Sequence, residues 1–235
     1  MADGMVHTVE VLDRFRLEWD GTTIDVPPHS AVLVAHLAVI GRPVHRSAVA
    51  GTLSPALSER NALAALRSAL YRVGVPVVRA HGDLIGLAPE VRVDLREAIG
   101  LARDLLRAET PPARIETVVD LLGRELLPDD DSLWLEPERQ RFRHLRVSAL
   151  DWLSACLTER RRHAEAVEVA QLAAAIEPVS ETAEATLIRA LVAEGNEALA
   201  VREYHAFRRR LWRELRVHPA HGFDELRAGR TVTVR

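Results

Sequence analysis

The chain has no lysine: all 31 basic residues among its 235 are arginine. Nucleotide binding by a phosphate-loop Gly-Lys-Ser/Thr motif, Schiff-base chemistry and pyridoxal attachment are excluded together. Cysteine occurs once, at Cys156. That leaves neither a disulfide framework nor a cysteine zinc site, and it suits a reducing cytoplasm. No run approaches the roughly 20 apolar residues that a membrane helix needs. The opening residues, MADGMVHTVEVLDRF, carry charge where a signal peptide would be apolar. A cytoplasmic chain without a membrane segment is therefore expected. Against these absences, 48% hydrophobic content supplies a core sufficient for one or two domains. Heavy use of Ala, Val, Arg and Leu with no lysine points to a GC-rich, bacterial coding bias.

A net charge of -3 argues against wholesale coating of nucleic acid, but the charge is unevenly placed. Residues 42–82 hold Arg42, Arg46, Arg60, Arg67, Arg72 and Arg79 against Glu59 alone. Residues 1–41 hold Arg14 and Arg16 against Asp3, Glu10, Asp13, Glu18, Asp20 and Asp25. A basic middle within an acidic chain fits a face built to meet a polyanion, and equally fits ordinary surface salt-bridging.

Short alternating runs open the chain: Val6 to Leu12, Phe15 to Trp19, and Thr22 to Val26 after Asp20-Gly21, a strong hairpin signal. Pro27-Pro28 ends the strands, and Ser30 is expected to cap a helix bearing Val32, Leu33, Leu37 and Ile40, stopped by Gly41-Arg42-Pro43. Ser47 is expected to cap a short second helix that Ser54-Pro55 breaks. A third, Glu59 to Val73, begins at Ser58 and ends at Gly74. Its apolar stripe is Ala62, Leu63, Leu66, Ala69, Leu70 and Val73. The opposite side gathers Arg60, Asn61, Ala64, Arg67, Ser68, Tyr71 and Arg72. Val77 to Arg79, a tip at Ala80 to Asp83, and Leu84 to Leu87 read as a hairpin. Three helices and a hairpin form a winged helix-turn-helix, and a sheet placed before them narrows it to the OmpR-like variety.

From Asp94 the pattern turns helical. Asp94 caps a helix to Arg107, a second ends near Gly123, and Pro137 opens a long one with a seam of Phe142, Leu145, Ala149, Trp152, Leu153 and Cys156. A shift of 34 superposes Ala149 on Ala183, Leu153 on Leu187, Leu157 on Leu191, Ala164 on Ala198, Ala166 on Ala200 and Val167 on Val201. That is the tetratricopeptide (TPR) period, with small alanines expected at the helix crossings. The fold expected is mainly α: an OmpR-like winged helix-turn-helix (α+β) in residues 1–92, then an all-α TPR-like repeat domain in 93–235.

These residues resemble the Streptomyces antibiotic regulatory protein (SARP) family, whose second half is the bacterial transcriptional activator domain. In the first half the resemblance rests on Gly41-Arg42-Pro43-Val44-His45-Arg46, Val49-Ala50-Gly51-Thr52-Leu53, Asn61-Ala62-Leu63 and Leu66 to Arg72. In the second it rests on Gly123 to Pro128, Trp134 to Arg139, Leu187 to Ala190, Ala193 to Asn196, Arg202-Glu203-Tyr204 and Leu211 to Pro219. Ser54-Pro55 stands where the family usually has Trp-Pro, and Val73-Gly74 where it often adds arginines. Three TPR-like repeats and no ATPase domain are expected, which would make it a small, two-domain form. The resemblance implies a cytoplasmic activator of a biosynthetic, specialised-metabolism gene cluster. It would bind direct repeats in double-stranded DNA, recruit RNA polymerase and form a homodimer through the helical domain.

On that basis Arg67 and Asn61 are the candidate base contacts, since arginine pairs bidentately with guanine and asparagine with adenine. Arg46, Arg60 and Arg72 suit phosphates, and Arg79 and His81 suit the minor groove from the wing. Ala64, Ser68 and Tyr71 complete the reading face. Each arginine alone reads equally as a solvated surface charge, and Asn61 equally as a helix-start residue bonding backbone. No cofactor is expected. His163-Ala164-Glu165 lacks metal spacing, and Asp129-Asp130-Asp131 lacks the glycine and distal glutamate of a calcium loop. Asp151, Glu159 and Glu168 read as solvated helix faces rather than a catalytic pair, so an enzyme is not expected. Arg160-Arg161-Arg162 and Arg208-Arg209-Arg210 are phosphate-capable runs on helix surfaces. The rival reading is a TPR interaction module whose winged helix no longer binds DNA.

Overall fold

The computed structural model describes residues 7–228; Val6, the expected start of the first strand, lies outside them. The chain divides into two compact units. One takes in the chain up to Ala98 together with Arg124–Arg139, the other Ile99–Gly123 and the chain from Gln140 on.

In the first unit, β1 (His7–Glu10), β2 (Arg16–Trp19) and β3 (Thr22–Thr23) form an antiparallel meander. Asp20 and Gly21 both take positive φ, 51° and 71°, as a two-residue hairpin turn demands. β3 is shorter than the alternating run to Val26, and beyond it Ile24 N–H still bonds Leu17 C=O at 2.9 Å. Helix α1 (Pro28–Ile40) starts from Pro27, with proline pre-set for the first turn. Ser30 is therefore not its cap: it lies inside the helix, fully buried, and its hydroxyl donates to Ala69 C=O at 2.8 Å. Gly41 closes the helix at φ 69°, its N–H bonding Leu37 C=O.

After β4 (Val44–His45), α2 (Arg46–Leu53) is capped by His45, whose Nδ1 accepts from Ser47 N–H, rather than by Ser47. The imidazole nitrogen and the Ser47 hydroxyl lie 2.7 Å apart, so the serine supports the cap instead of forming it. Then follow α3 (Glu59–Arg72), β5 (Val78–His81), β6 (Leu84–Leu87) and β7 (Val91–Val93). β4, β6 and β5 form a three-stranded wing sheet in that order, while β7 returns to lie parallel to β1 in the order β3-β2-β1-β7. Neither β4 nor β7 stands out in the sequence. Leu33 and Leu37 of α1, Val49 of α2, Leu66 of α3 and Ile85 of β6 share one core.

Arg124–Arg139 belongs to this unit through backbone bonds that sequence periodicity does not reveal. Asp13, at φ 65°, donates its N–H to Glu125 C=O at 2.6 Å, and its side-chain Oδ1 accepts from Glu125 N–H at 3.0 Å. Leu127 N–H bonds Val11 C=O, and Arg139 donates to the carbonyls of Leu126, Leu127 and Asp130. Asp94, at the start of α4 (Asp94–Arg107), does more than cap: its carboxylate accepts from Val11, Leu12 and Leu95 N–H. Trp134 packs edge-on to His36 at 4.6 Å, and burial pushes that imidazole below its usual range.

The second unit is helical: the body of α4, α5 (Ile115–Gly123), the greater part of α6 (Glu136–Glu159), α7 (His163–Ile176), α8 (Glu181–Glu194), α9 (Glu197–Leu215) and α10 (Phe223–Arg227), the last not expected from sequence. The seam of α6 is rotated from the expected one. Phe142, Arg146, Ala149, Leu150, Leu153 and Leu157 are buried, whereas Leu145, Trp152 and Cys156 are only half-buried. Arg146 is accommodated on the buried face, its guanidinium lying against the Phe142 ring at 5.3 Å and donating to Leu122 C=O at 3.3 Å. The 34-residue register is visible in the turns. Arg161 and Gly195 both take positive φ, 60° and 91°. Arg162 N–H bonds Leu157 C=O at 3.0 Å, and Asn196 N–H bonds Leu191 C=O at 2.9 Å. Ala149, Ala183, Ala166 and Ala200 are fully buried, as helix crossings require. Ala164 and Ala198 are exposed in both repeats, so the crossing role expected of them falls to the other alanines.

Candidate nucleic-acid interface

Helix α3 separates its two faces by residue type. Burial of Ala62 and Leu66, at 2% and 5% exposure, fixes its rotation against α1 and α2. The Ser30 bond to Ala69 C=O pins the same side. The seven residues expected opposite, Arg60, Asn61, Ala64, Arg67, Ser68, Tyr71 and Arg72, are all exposed, and Tyr71 reaches 88%. A phenol so exposed contributes nothing to the core, so its packing value must come from elsewhere. Ala62 and Asn61 are adjacent, yet one is buried and the other exposed, as a helix turn of 100° per residue requires.

Arg60, Arg67 and Arg72 have no ion pair among the described residues, so their charge is uncompensated on that face. Glu59 is the acid of the first turn, where it favours the positive helix end, and Arg72 lies in the last turn, where a cation is favoured. Both charges thus also stabilise the helix that carries them.

The wing turns at Gly82-Asp83, with Gly82 at φ 58°. His81 is exposed at its edge. Asp83 C=O accepts from Arg46 N–H at 2.8 Å, which ties the start of α2 to the wing turn. The Arg46 side chain is half-buried, with Nε enclosed and no hydrogen-bond partner. Arg79 is exposed on β5 but engaged: its Nη2 donates to Glu90 Oε1 at 2.8 Å, and that bond holds the Glu90 carboxyl below its ordinary range. Sequence reasoning missed Glu90 because the pair spans 11 residues across a hairpin rather than a helix turn. Arg79 must exchange this carboxylate for any other anion it meets.

Among the described residues no group of three or more His, Cys, Asp and Glu side chains is arranged to hold a metal ion, and no helix is long and apolar enough to cross a membrane. Asp151 is not the solvated carboxylate its helix position suggested. It is half-buried, and burial, opposed by Arg189 and a Thr186 hydrogen bond, pushes its pKa up to about 6.

Residues 93–229 match the model of the family described as the bacterial transcriptional activator domain. Among solved structures the chain is similar to Mycobacterium tuberculosis EmbR, a structure determined in complex with a low-affinity phosphopeptide. The TM-score is 0.69 at 18% identity over 95% of this chain and 64% of that one. This likeness is one of fold, and the chain spans about 64% of the length of its structural neighbour. No curated protein matches the sequence.

Proposed function

Because this chain belongs to the bacterial transcriptional activator domain family, with the winged-helix and helical architecture of SARP-type regulators, we propose that it is a sequence-specific DNA-binding activator. One observation carries the reading. The face of α3 opposite the buried Ala62-Leu66-Ala69 stripe is exposed along its length and holds three arginines without carboxylate partners. An exposed helix of this size enters the major groove, where Arg67 and Asn61 read base edges. Arg46, Arg60 and Arg72 hold phosphates, and Arg79 and His81 approach from the wing. Residues 1–92 are thus the DNA-binding part and 93–235 the activator part. It acts in the cytoplasm as a homodimer on direct repeats, recruits RNA polymerase to a specialised-metabolism gene cluster, and is not an enzyme.

The experiment is binding of the parent and two variants to operator and scrambled DNA at two salt concentrations, the operator taken from genome-wide footprinting. Log affinity falls with log salt by about 0.9 per phosphate neutralised. Arg67→Ala removes a bidentate guanine contact, about 1–3 kcal/mol, and lowers the operator-to-scrambled ratio. Arg79→Ala weakens both DNAs alike and lowers the salt slope by about one. Glu90→Gln releases Arg79 from its present partner and strengthens binding to both. A flat salt dependence overturns the reading in favour of an interaction module.

A further inference from the structure

The last turns of α9 carry a surface that the DNA-binding reading does not use, and the inference drawn from it stands on the helical unit alone. Within Arg208-Arg209-Arg210, only Arg210 is engaged, donating through Nη1 to Pro178 C=O at 2.8 Å. Arg208 and Arg209 are exposed and have no ion pair or hydrogen bond among the described residues. With Trp212 and His218 they line an open groove of about 450 Å³. Spacing of four places Arg208 and Trp212 on one helix face. Trp212 is 47% exposed, and Leu215 and Val217 follow at 54% and 45%.

The exposed indole is held in place. The His218 ring stacks on it with centroids 5.0 Å apart and planes 16° from parallel, and the Arg216 guanidinium lies 5.9 Å from its centroid. Arg216 adopts φ 59°, a left-handed backbone conformation that residues other than glycine mostly avoid. That residue ends the helix and turns the chain back, so that His218 meets Trp212. The neighbouring carboxylate on the same turn is already engaged: Glu214 accepts from Arg213 at 3.0 Å. Uncompensated guanidinium groups thus flank an ordered, solvent-facing aromatic ring.

We propose that this groove docks an acidic peptide segment of a partner protein, one whose carboxylates flank an apolar anchor. Arginine and tryptophan dominate binding energy at protein interfaces. Carboxylates accept paired bonds from Arg208 and Arg209, and the anchor covers Trp212, Leu215 and Val217. A nucleic-acid backbone would satisfy the guanidinium groups but leave those apolar side chains in water.

The test is fluorescence anisotropy of a labelled peptide of about a dozen residues, Asp and Glu flanking Leu and Phe, titrated with the whole chain. Saturable binding is expected, weakened about tenfold or more by Trp212→Ala and by the Arg208→Glu, Arg209→Glu pair, in line with loss of interface anchors. Arg103→Glu, on the exposed face of α4, leaves it unchanged. Circular dichroism of each variant confirms that helicity is kept, as expected for exposed positions. The proposal is overturned if the peptide does not bind, or if the variants bind as the parent does. It is equally overturned if an all-acidic peptide without Leu and Phe binds as well, or if random-sequence duplex DNA competes through these residues. Loss of DNA binding with this peptide binding retained would strike the DNA reading and leave this one standing.

Discussion

Residues 149–182 and 183–216 build the same structure from different chemistry, and their differences separate what the repeat geometry requires from what it tolerates. Both place a left-handed residue between their helices, then a helix start whose N–H reaches back to a buried leucine carbonyl. Both bury alanine at the crossing, Ala166 and Ala200. Two of their many differences fall on the core and the turn. Where the first repeat buries Leu150, the second buries Glu184; where the second has Gly195 at the turn, the first has Arg161. Backbone bonding and close helix approach are the requirements. Side-chain polarity and the identity of the left-handed residue vary, at an energetic cost that differs between repeats.

The largest cost falls on Glu184. It is 4% exposed, and its Oε1 is enclosed with no hydrogen-bond partner. Burial above all, and Glu203 beside it, push its pKa up to about 7 against the opposing pull of Arg210. The folded state therefore keeps a proton that the unfolded state releases above its ordinary value near 4.5. Stability falls as pH rises between those values, and the deficit is full above about pH 7. At about 1.36 kcal/mol per unit it amounts to roughly 3 kcal/mol. Glu184→Leu, which installs the first repeat's residue, is expected to stabilise by about 3 kcal/mol at pH 8 and by only about 1 kcal/mol from this source at pH 5. Urea unfolding at the two pH values measures it, and an equal gain at both would show that the Glu184 carboxyl titrates in the folded protein as it does in the unfolded chain.

The next effect tests the shared feature. Ala166→Leu or Ala200→Leu overpacks a crossing where the alanine has no exposed surface, and either is expected to cost about 1–3 kcal/mol. Ala164→Leu and Ala198→Leu, on the exposed side, should change stability by no more than about 0.5 kcal/mol. Thermal melting of the four variants reads the contrast. An unchanged melting temperature for Ala200→Leu would break the 34-residue equivalence.

The features legible in sequence are those that repeat locally. The α3 stripe, the hairpin at Asp20-Gly21 and the helix stop at Gly41 each rest on residues a few positions apart, and the 34-residue period on a spacing that recurs along the chain. The exposed face of α3 followed from its stripe, so the placement of Arg67 and Tyr71 was readable even though their role was not. What escaped depends on distant partners. β4 is two residues long and exists through Ile85 and Leu84; β7 is three and exists through pairing with β1. Ser30 carries a cap residue's chemistry, but its hydroxyl found Ala69 C=O, 39 residues away. Arg146 reads by type as a surface cation, and only the carbonyl of Leu122 and the ring of Phe142 explain its burial. Glu90 as the partner of Arg79, and the solvent-facing Trp212 backed by Arg216 and His218, likewise depend on chain reversals that no period announces.

The smallest effect is the most direct test of the comparison, because it exchanges the turn chemistry and nothing else. A Cβ placed on Gly195 meets no atom within 4 Å, so the cost of Gly195→Ala is backbone conformation alone. Left-handed φ costs an ordinary residue roughly 1–2 kcal/mol, and replacing glycine recovers roughly 0.5–1 kcal/mol by stiffening the unfolded chain. The net expectation is a destabilisation of about 0.5–1 kcal/mol. Arg161→Gly runs the same exchange in reverse. It relieves φ 60° at an exposed position while loosening the unfolded chain, so a gain of about 0.5 kcal/mol is expected. Paired denaturant titrations of the two variants therefore give opposite signs if both turns are held by the same backbone bonds. If Arg161→Gly instead destabilises, the arginine side chain contributes more to the first repeat than its left-handed backbone costs, and the two turns are equivalent in shape only.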